Sequence, residues 1–387
     1  MSPDTQKALQ GSFPVNPLLI ACARPFCDDL QRRRILEAAA SCKNREGLCH
    51  EAEAHGLAPL VYHHLAQAEQ AVPEAQRAKL RIQYLRHRRC NEIRMGALGE
   101  ILESWEKAKI PVVVLKGGAL CRLLYPEPAL RPMSDLDLLV KPEDTERARK
   151  LLSDLGFRAP GRQGGRAWLH HHLPEARMEK SGITVTVEIH YDVFTKSHPA
   201  SLPWDRIRGP LLPFEVDGST TAWTLGYEEM LWHLCHHMIT PGQPLRLISV
   251  ADILGFAEAF VHRIDWERLF RDYPFVVNTL RLLAWLTPLR DDLRRKIAWE
   301  NGDPPRDLGL DYKGWPHTPF PEACLQFGSL GRLLVDSLCP PHWWLRLHYG
   351  LDGSRSAKFC RLVVHPARLA KLGMYWLCSR VPTRGTR

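Results

Sequence analysis

Along residues 76–108 the apolar positions recur with a helical period. Leu98, Ile101, Leu102 and Trp105 fall at i, i+3, i+4 and i+7 and form one stripe. Upstream, residues 32–40 and 57–68 are rich in Ala, Leu, Glu, Gln and Arg, and Pro73 marks a break before the long helix. The chain to about residue 105 therefore reads as helical. The period then changes. Val112-Val113-Val114-Leu115 is a short apolar strand that breaks into Lys116-Gly117-Gly118, and a short helix is predicted over 118–124. A second apolar strand covers 136–140. Ala148, Leu151, Leu152 and Leu155 then share one face of a helix predicted over 143–155, whose acidic first turn suits the helix dipole and whose stop is Gly156. Residues 166–178 and 183–194, separated by Glu179-Lys180-Ser181-Gly182, read as an antiparallel hairpin. In its second strand Val185, Val187, Ile189, Tyr191 and Val193 alternate with Thr184, Thr186, Glu188, His190 and Asp192. The first set should pack on the core, leaving the polar set free to meet the strand at 136–140 across a cleft. From about residue 224 helical patterning returns, clearest over 228–238 and 247–260, and 301–321 reads as a long loop.

One segment breaks the apolar pattern in an informative way. Ser134-Asp135-Leu136-Asp137-Leu138-Leu139-Val140 puts two carboxylates on one face of a hydrophobic strand, since side chains alternate with period two. Two such charges a few ångströms apart repel each other unless a cation offsets them. Hard divalent cations take oxygen ligands of this kind. An edge strand with both carboxylates in water would also account for the pattern. The Lys116-Gly117-Gly118 turn just upstream favours a cation site. A third carboxylate is offered by the polar face of residues 183–194. Periodicity does not choose between Glu188 and Asp192, but Glu188 is mid-strand and Asp192 stands near the strand end, so Glu188 is expected to join Asp135 and Asp137.

Other clusters carry weaker signals. His170-His171-His172 are consecutive, so on a strand they point to opposite faces and do not readily share an ion. His233 and His237 are spaced i, i+4 on a helix, a zinc-compatible spacing, without the adjacent glutamate of a zincin, so packing or capping is the expected role. Cys235 and His236 are helix neighbours and do not face each other.

The chain of 387 residues has 45% hydrophobic and 25% charged residues, the profile of an ordinary globular protein. Its start carries no secretory pattern, no apolar run approaches the roughly 20 residues of a membrane span, and its 11 cysteines include no Cys-x-x-Cys pair. A cytoplasmic setting with reduced thiols is expected. The net charge of +9 lies mostly after Pro341, where Arg346, Arg355, Lys358, Arg361, Arg368, Lys371, Arg380, Arg384 and Arg387 face the single acid Asp352. Interleaved with Trp343, Trp344, Phe359, Tyr375 and Trp376, this basic tail would suit nucleic acid or an anionic surface. A solvated basic helix face is the plainer account.

A strand, a Gly-Gly turn into a helix, a second strand with spaced carboxylates and a third strand with another resemble the polymerase-β-type nucleotidyltransferase superfamily. The phrases Leu115-Lys116-Gly117-Gly118-Ala119-Leu120, Tyr125-Pro126, Arg131, Ser134 to Val140 and Val187-Glu188-Ile189-His190 are similar to a little-characterised bacterial group of nucleotidyltransferase family proteins. The resemblance spans roughly residues 30–270. It implies an α+β fold with a mixed β-sheet core over 106–215, between a helical N-terminal region at 1–105 and a helical C-terminal region with its basic aromatic tail at 216–387. It implies transfer of a nucleoside monophosphate from an NTP to an unidentified acceptor hydroxyl, with two Mg²⁺ ions on Asp135, Asp137 and Glu188. Gly117 and Gly118 would cradle phosphates at a helix N-terminus, Lys116 and Arg131 would contact phosphate oxygens, and His190 would stand at the cleft rim as an orienter of phosphate or acceptor. Two departures are visible. About sixteen residues separate Gly118 from Asp135, and Gly118 stands where many relatives carry serine. The alternatives are a toxin-like enzyme acting on RNA and a non-catalytic binding module that keeps the fold.

Overall fold

The computed structural model describes residues 15–42, 47–66, 72–160, 171–194, 202–218, 220–239, 245–299, 315, 324, 328–351 and 354–380. Five helices come first: α1 (Pro17–Cys22), α2 (Asp29–Ala40), α3 (Leu48–Ala54), α4 (Ala58–Ala66) and the long α5 (Glu74–Lys107). The chain then alternates: β1 (Val112–Val114), α6 (Lys116–Leu123), β2 (Asp135–Val140), α7 (Thr145–Asp154), β3 (Ala176–Lys180), β4 (Ile183–His190), β5 (Leu212–Glu215) and β6 (Thr221–Thr224). Helices return as α8 (Tyr227–Met238), α9 (Leu247–Ala259), α10 (Trp266–Asp272), α11 (Pro274–Leu283), α12 (Asp291–Lys296), α13 (Leu330–Leu338), α14 (His342–Tyr349), α15 (Ser354–Phe359) and α16 (His365–Arg380).

The four-stranded sheet has the order β1-β2-β4-β3. β1 and β2 are antiparallel, β2 and β4 parallel, and β3 and β4 antiparallel, so the sheet is mixed. Period-two alternation divides its residues between two cores. Leu136, Leu138, Val140, Val185, Val187 and Ile189 pack with Leu98, Ile101, Leu102 and Trp105 of α5 and with Ala148 and Leu152 of α7. Val113, Leu115 and Leu139 belong instead to a larger cluster that joins α1–α4 to α8, α9, α11 and α14. The N-terminal and C-terminal helices thus share one core, and the sheet face opposite α5 is the one that carries Asp135, Asp137, Glu188 and His190.

Several local expectations differ from what is observed. The hairpin turn is Ser181-Gly182 alone, both at positive φ, with Lys180 directly opposite Ile183. Two left-handed residues close a tight hairpin, so Glu179 and Lys180 belong to the strand. β4 ends at His190 instead of residue 194, because Asp192 accepts from the Phe194 and Leu202 N–H groups at 3.2 and 2.8 Å and turns the chain. The hairpin β5–β6 lies where no element was expected, and Pro213 stands in its first strand, an edge position that proline tolerates. It straddles the boundary expected at residue 215, and the Thr224 hydroxyl donates to the Val114 carbonyl at 2.5 Å. Trp343 and Trp344 are buried in the core and do not line an exposed tail surface. The loop expected at 301–321 and part of the strand expected at 166–178 lie outside the described residues.

Candidate active site

β2 and β4 lie side by side in one sheet, not across a cleft, and their register pairs Asp137 with Glu188 and Asp135 with Thr186. Parallel neighbours in register put these side chains on one face. One residue beyond β1, the Leu115 N–H still donates to the Asp137 carbonyl at 2.9 Å. That bond fixes the start of α6 beside β2, and Lys116 Nζ meets Asp137 Oδ1 at 3.1 Å. Lys116 holds φ +46°, left-handed backbone that a non-glycine residue adopts at a cost.

His190 completes the cluster. Its Nε2 lies 2.9 Å from Asp137 Oδ1 and 3.2 Å from Glu188 Oε2. One ligand atom from each of Asp137, Glu188 and His190 falls within 4.8 Å of the others, a grouping able to hold a metal ion. His190 was expected at the cleft rim, but its side chain is only 1% exposed. It is enclosed because the chain entering β3 runs back along the end of β4: His172 bridges to His190, and the Leu173 N–H donates to the Ile189 carbonyl. The rings of His171 and His172 each lie 5.2 Å from the His190 ring. The objection that consecutive histidines diverge holds on a regular strand, and residues 171–172 are outside one.

The charges respond to this packing. Burial alone would raise the Asp137 carboxyl, but the Lys116 ammonium and the hydrogen bond from His190 hold it well below the usual carboxylate range. Asp135, hydrogen-bonded by the Ser134 hydroxyl at 3.1 Å, is pushed up by burial and by the Asp137 charge. For Lys116, burial is outweighed by Asp137, Asp135 and Glu188, and its pKa rises. His190 is likewise raised, its bonds to Asp137 and Glu188 overcoming burial. His171 is pushed down to about 3 by burial and by the neighbouring imidazoles. His233 and His237 on α8 are also lowered, by burial and by the positive field of Lys116.

The remaining sequence candidates sit differently. Arg131 is engaged in a buried ion pair with Asp252 of α9, its Nη2 2.7 Å from Oδ2, and the Tyr125 hydroxyl donates to the same carboxylate at 2.6 Å. Its Nη1 donates to the Pro132 carbonyl at 3.1 Å. A Cβ on Gly117 would run into Arg131 Nη1 and stand 3.1 Å from Met133 Cβ, and one on Gly118 would meet Val114 Cγ1 at 3.0 Å. Packing around the first turn of α6 thus demands glycine at 117 and leaves a methyl at 118 only a tight fit against Val114. Asp192 is spent on the turn after β4. Glu188, not Asp192, stands with Asp137. The sequence reasoning missed Asp252, which carries no motif, and gave no role to Tyr125 although Tyr125-Pro126 is part of the resemblance; it set aside His171 and His172.

Residues 41–274 match the family described as "Uncharacterised nucleotidyltransferase". The match covers more than half of the chain, and the protein belongs to this family. No curated protein matches it. Among solved structures, the chain is similar to an antigenic nucleotidyltransferase-like protein from Paracoccidioides brasiliensis, with 16% identity, 54% of this chain and 94% of that chain covered, and a TM-score of 0.38. Likeness at that level carries no weight for the site. Among the described residues, no helix is long and apolar enough to cross a membrane.

Proposed function

We propose that this protein is a divalent-cation-dependent nucleotidyltransferase that moves a nucleoside monophosphate from an NTP to an acceptor hydroxyl and releases pyrophosphate. The observation that carries the reading is the convergence of Asp137, Glu188 and Lys116 at one point of the sheet, beside the N-terminus of α6. The donor set fits a divalent cation: two carboxylates and an imidazole, already close enough to share one ion. Asp137 and Glu188 would hold it, with Asp135 adding a carboxylate on the same strand. Bound divalent cations would lower the pKa of the attacking hydroxyl and stabilise charge growing on the α-phosphate and the pyrophosphate.

The chain's own groups do the rest. The first turn of α6 has N–H groups without helical partners and a dipole that favours anions. Lys116, one residue into that helix, can pass from Asp137 to a phosphate oxygen as negative charge arrives. Arg131 supports the site from behind: it packs over Gly117 while its guanidinium ties the residue 125–133 segment to α9.

The alternative of a non-catalytic module has one observation in its favour. Lys116 and His190 already neutralise Asp137, so the cluster is stable as a structural knot. Calorimetric titration with ATP, GTP, CTP and UTP, each with and without Mg²⁺, separates the two. The enzyme reading expects at least one NTP to bind with a clear Mg²⁺ requirement that Glu188→Gln removes. Cation-independent binding, or none with any of the four, would leave the module reading.

A further inference from the structure

An all-oxygen ligand set would leave Asp137 and Glu188 facing each other or a neighbouring cation. Here one nitrogen stands between them: His190 Nε2, 2.9 Å from one carboxylate and 3.2 Å from the other. From this geometry we propose that the cation site is a mixed nitrogen–oxygen centre, ligated by Asp137, Glu188 and His190 with His172 beside them, and that it selects a first-row transition ion over Mg²⁺. The proposal rests on the nucleotidyl-transfer reading and names the ion class of that same site.

Three features support it. First, His190 is oriented by packing. Its side chain is 1% exposed and its ring is flanked by those of His171 and His172, so Nε2 is aimed at the carboxylates before any ligand arrives, and an ion taken there displaces to solvent the proton that Nε2 now donates to them. Second, His172 is set in a defined tautomer. Its Nδ1 lies 2.8 Å from the Leu173 carbonyl, which can only accept, so Nδ1 carries the hydrogen. In the neutral ring Nε2 then bears its lone pair, and it lies 4.0 Å from Glu188 Oε2. Two lone-pair donors at that spacing suit two ligands of one ion, and the carbonyl behind the ring is the outer partner that metal-bound histidines usually have. Third, the chemistry discriminates. Mg²⁺ favours oxygen and water, whereas imidazole nitrogens favour the borderline first-row ions. Imidazole ligation therefore separates ions that two carboxylates alone would take with little distinction.

The test uses the full chain without nucleotide, titrated separately with CoCl₂ and MgCl₂, with pulsed electron paramagnetic resonance on the Co²⁺ complex. The expected result is Co²⁺ affinity at least about tenfold above that for Mg²⁺, with nitrogen hyperfine coupling from coordinated imidazole. His190→Gln should abolish or weaken that coupling and lower Co²⁺ affinity about 10- to 100-fold, while Mg²⁺ affinity changes much less. Because His190 is buried, His172→Gln provides a second variant at a more open position, expected to lower Co²⁺ affinity in the same selective way. Wild-type Co²⁺ without nitrogen coupling, or equal affinity for the two ions, would overturn the proposal. If an NTP still binds with Mg²⁺ in that case, the nucleotidyl-transfer reading survives; if neither ions nor nucleotides bind, that reading falls as well.

Discussion

Asp135 and Asp137 look equivalent in the sequence, and their surroundings make them opposites. Asp137 is 3% exposed at its side chain and is the shared partner of Lys116 and His190. Replacing it by Asn removes the one carboxylate that both cationic groups share and leaves only Glu188 against His190, a loss of about 3 kcal/mol for breaking a buried pair. Asp135 is charged at a cost set first by burial and then by the Asp137 charge, and its raised pKa records both. Asp135→Asn should leave thermal stability at pH 7 unchanged or raised. Paired thermal denaturation of the two variants checks this, and equal destabilisation of both would contradict it. The residue pattern located the site because a carboxylate pair in an apolar strand is conspicuous. It did not distinguish the two aspartates, because their difference comes from Lys116, 21 positions away from Asp137, and from His190, 53 positions away.

At the scale of elements, β1, α6, β2, α7 and the β3–β4 hairpin were legible, since apolar periodicity and turn residues mark each of them. The pairing of β2 with β4 was only half legible. Sequence alternation assigns faces, but register depends on hydrogen bonds between distant segments. The hairpin β5–β6 has Pro213 in its first strand, which weakens the strand pattern, and the enclosure of His190 comes from an irregular stretch with no period to read. Gly117 and Arg131 show how an element boundary is built from two distant residues. Gly117→Ala should cost about 1–3 kcal/mol, because its methyl group displaces a guanidinium held by Asp252 and the Pro132 carbonyl. In an Arg131→Ala background, where that obstacle is gone, the added cost of Gly117→Ala should be clearly smaller. A double-mutant cycle by urea denaturation measures the coupling, and additive effects would show that Arg131 does not set the requirement for glycine.

For the whole molecule, buried neutral histidines set an unusual acid limit. His64 is pushed from 6.5 to about 4, first by burial and then against the pull of its bond to the Arg24 carbonyl. His171 and His237 are pushed to about 3. Each is neutral in the fold, whereas in the unfolded chain it takes a proton near its ordinary value. As pH falls below about 6.5 the unfolded state binds more protons, so stability is lost progressively down to about pH 4 for His64. His190 runs the other way: its contribution is full below about 6.5 and fades as pH rises through its raised pKa. The melting temperature should therefore begin to fall near pH 6.5, ahead of the carboxylate range. His64→Gln should flatten that fall, by up to about 3 kcal/mol between pH 6.5 and 4. A slope unchanged by the substitution would show that His64 is not among the groups responsible.

The central claim is that a triphosphate and a divalent cation meet at the face shared by β2, β4 and the start of α6. The most direct measurement is a crystal structure of the full chain with Mn²⁺ and an NTP carrying a non-hydrolysable α,β-bridge, with the ion placed by anomalous scattering. The account predicts an anomalous peak between Asp137 and Glu188, triphosphate oxygens at the first turn of α6, and Lys116 Nζ moved from Asp137 to phosphate. A nucleotide bound elsewhere, with the Lys116–Asp137–His190 cluster unchanged and no ion beside it, would contradict it.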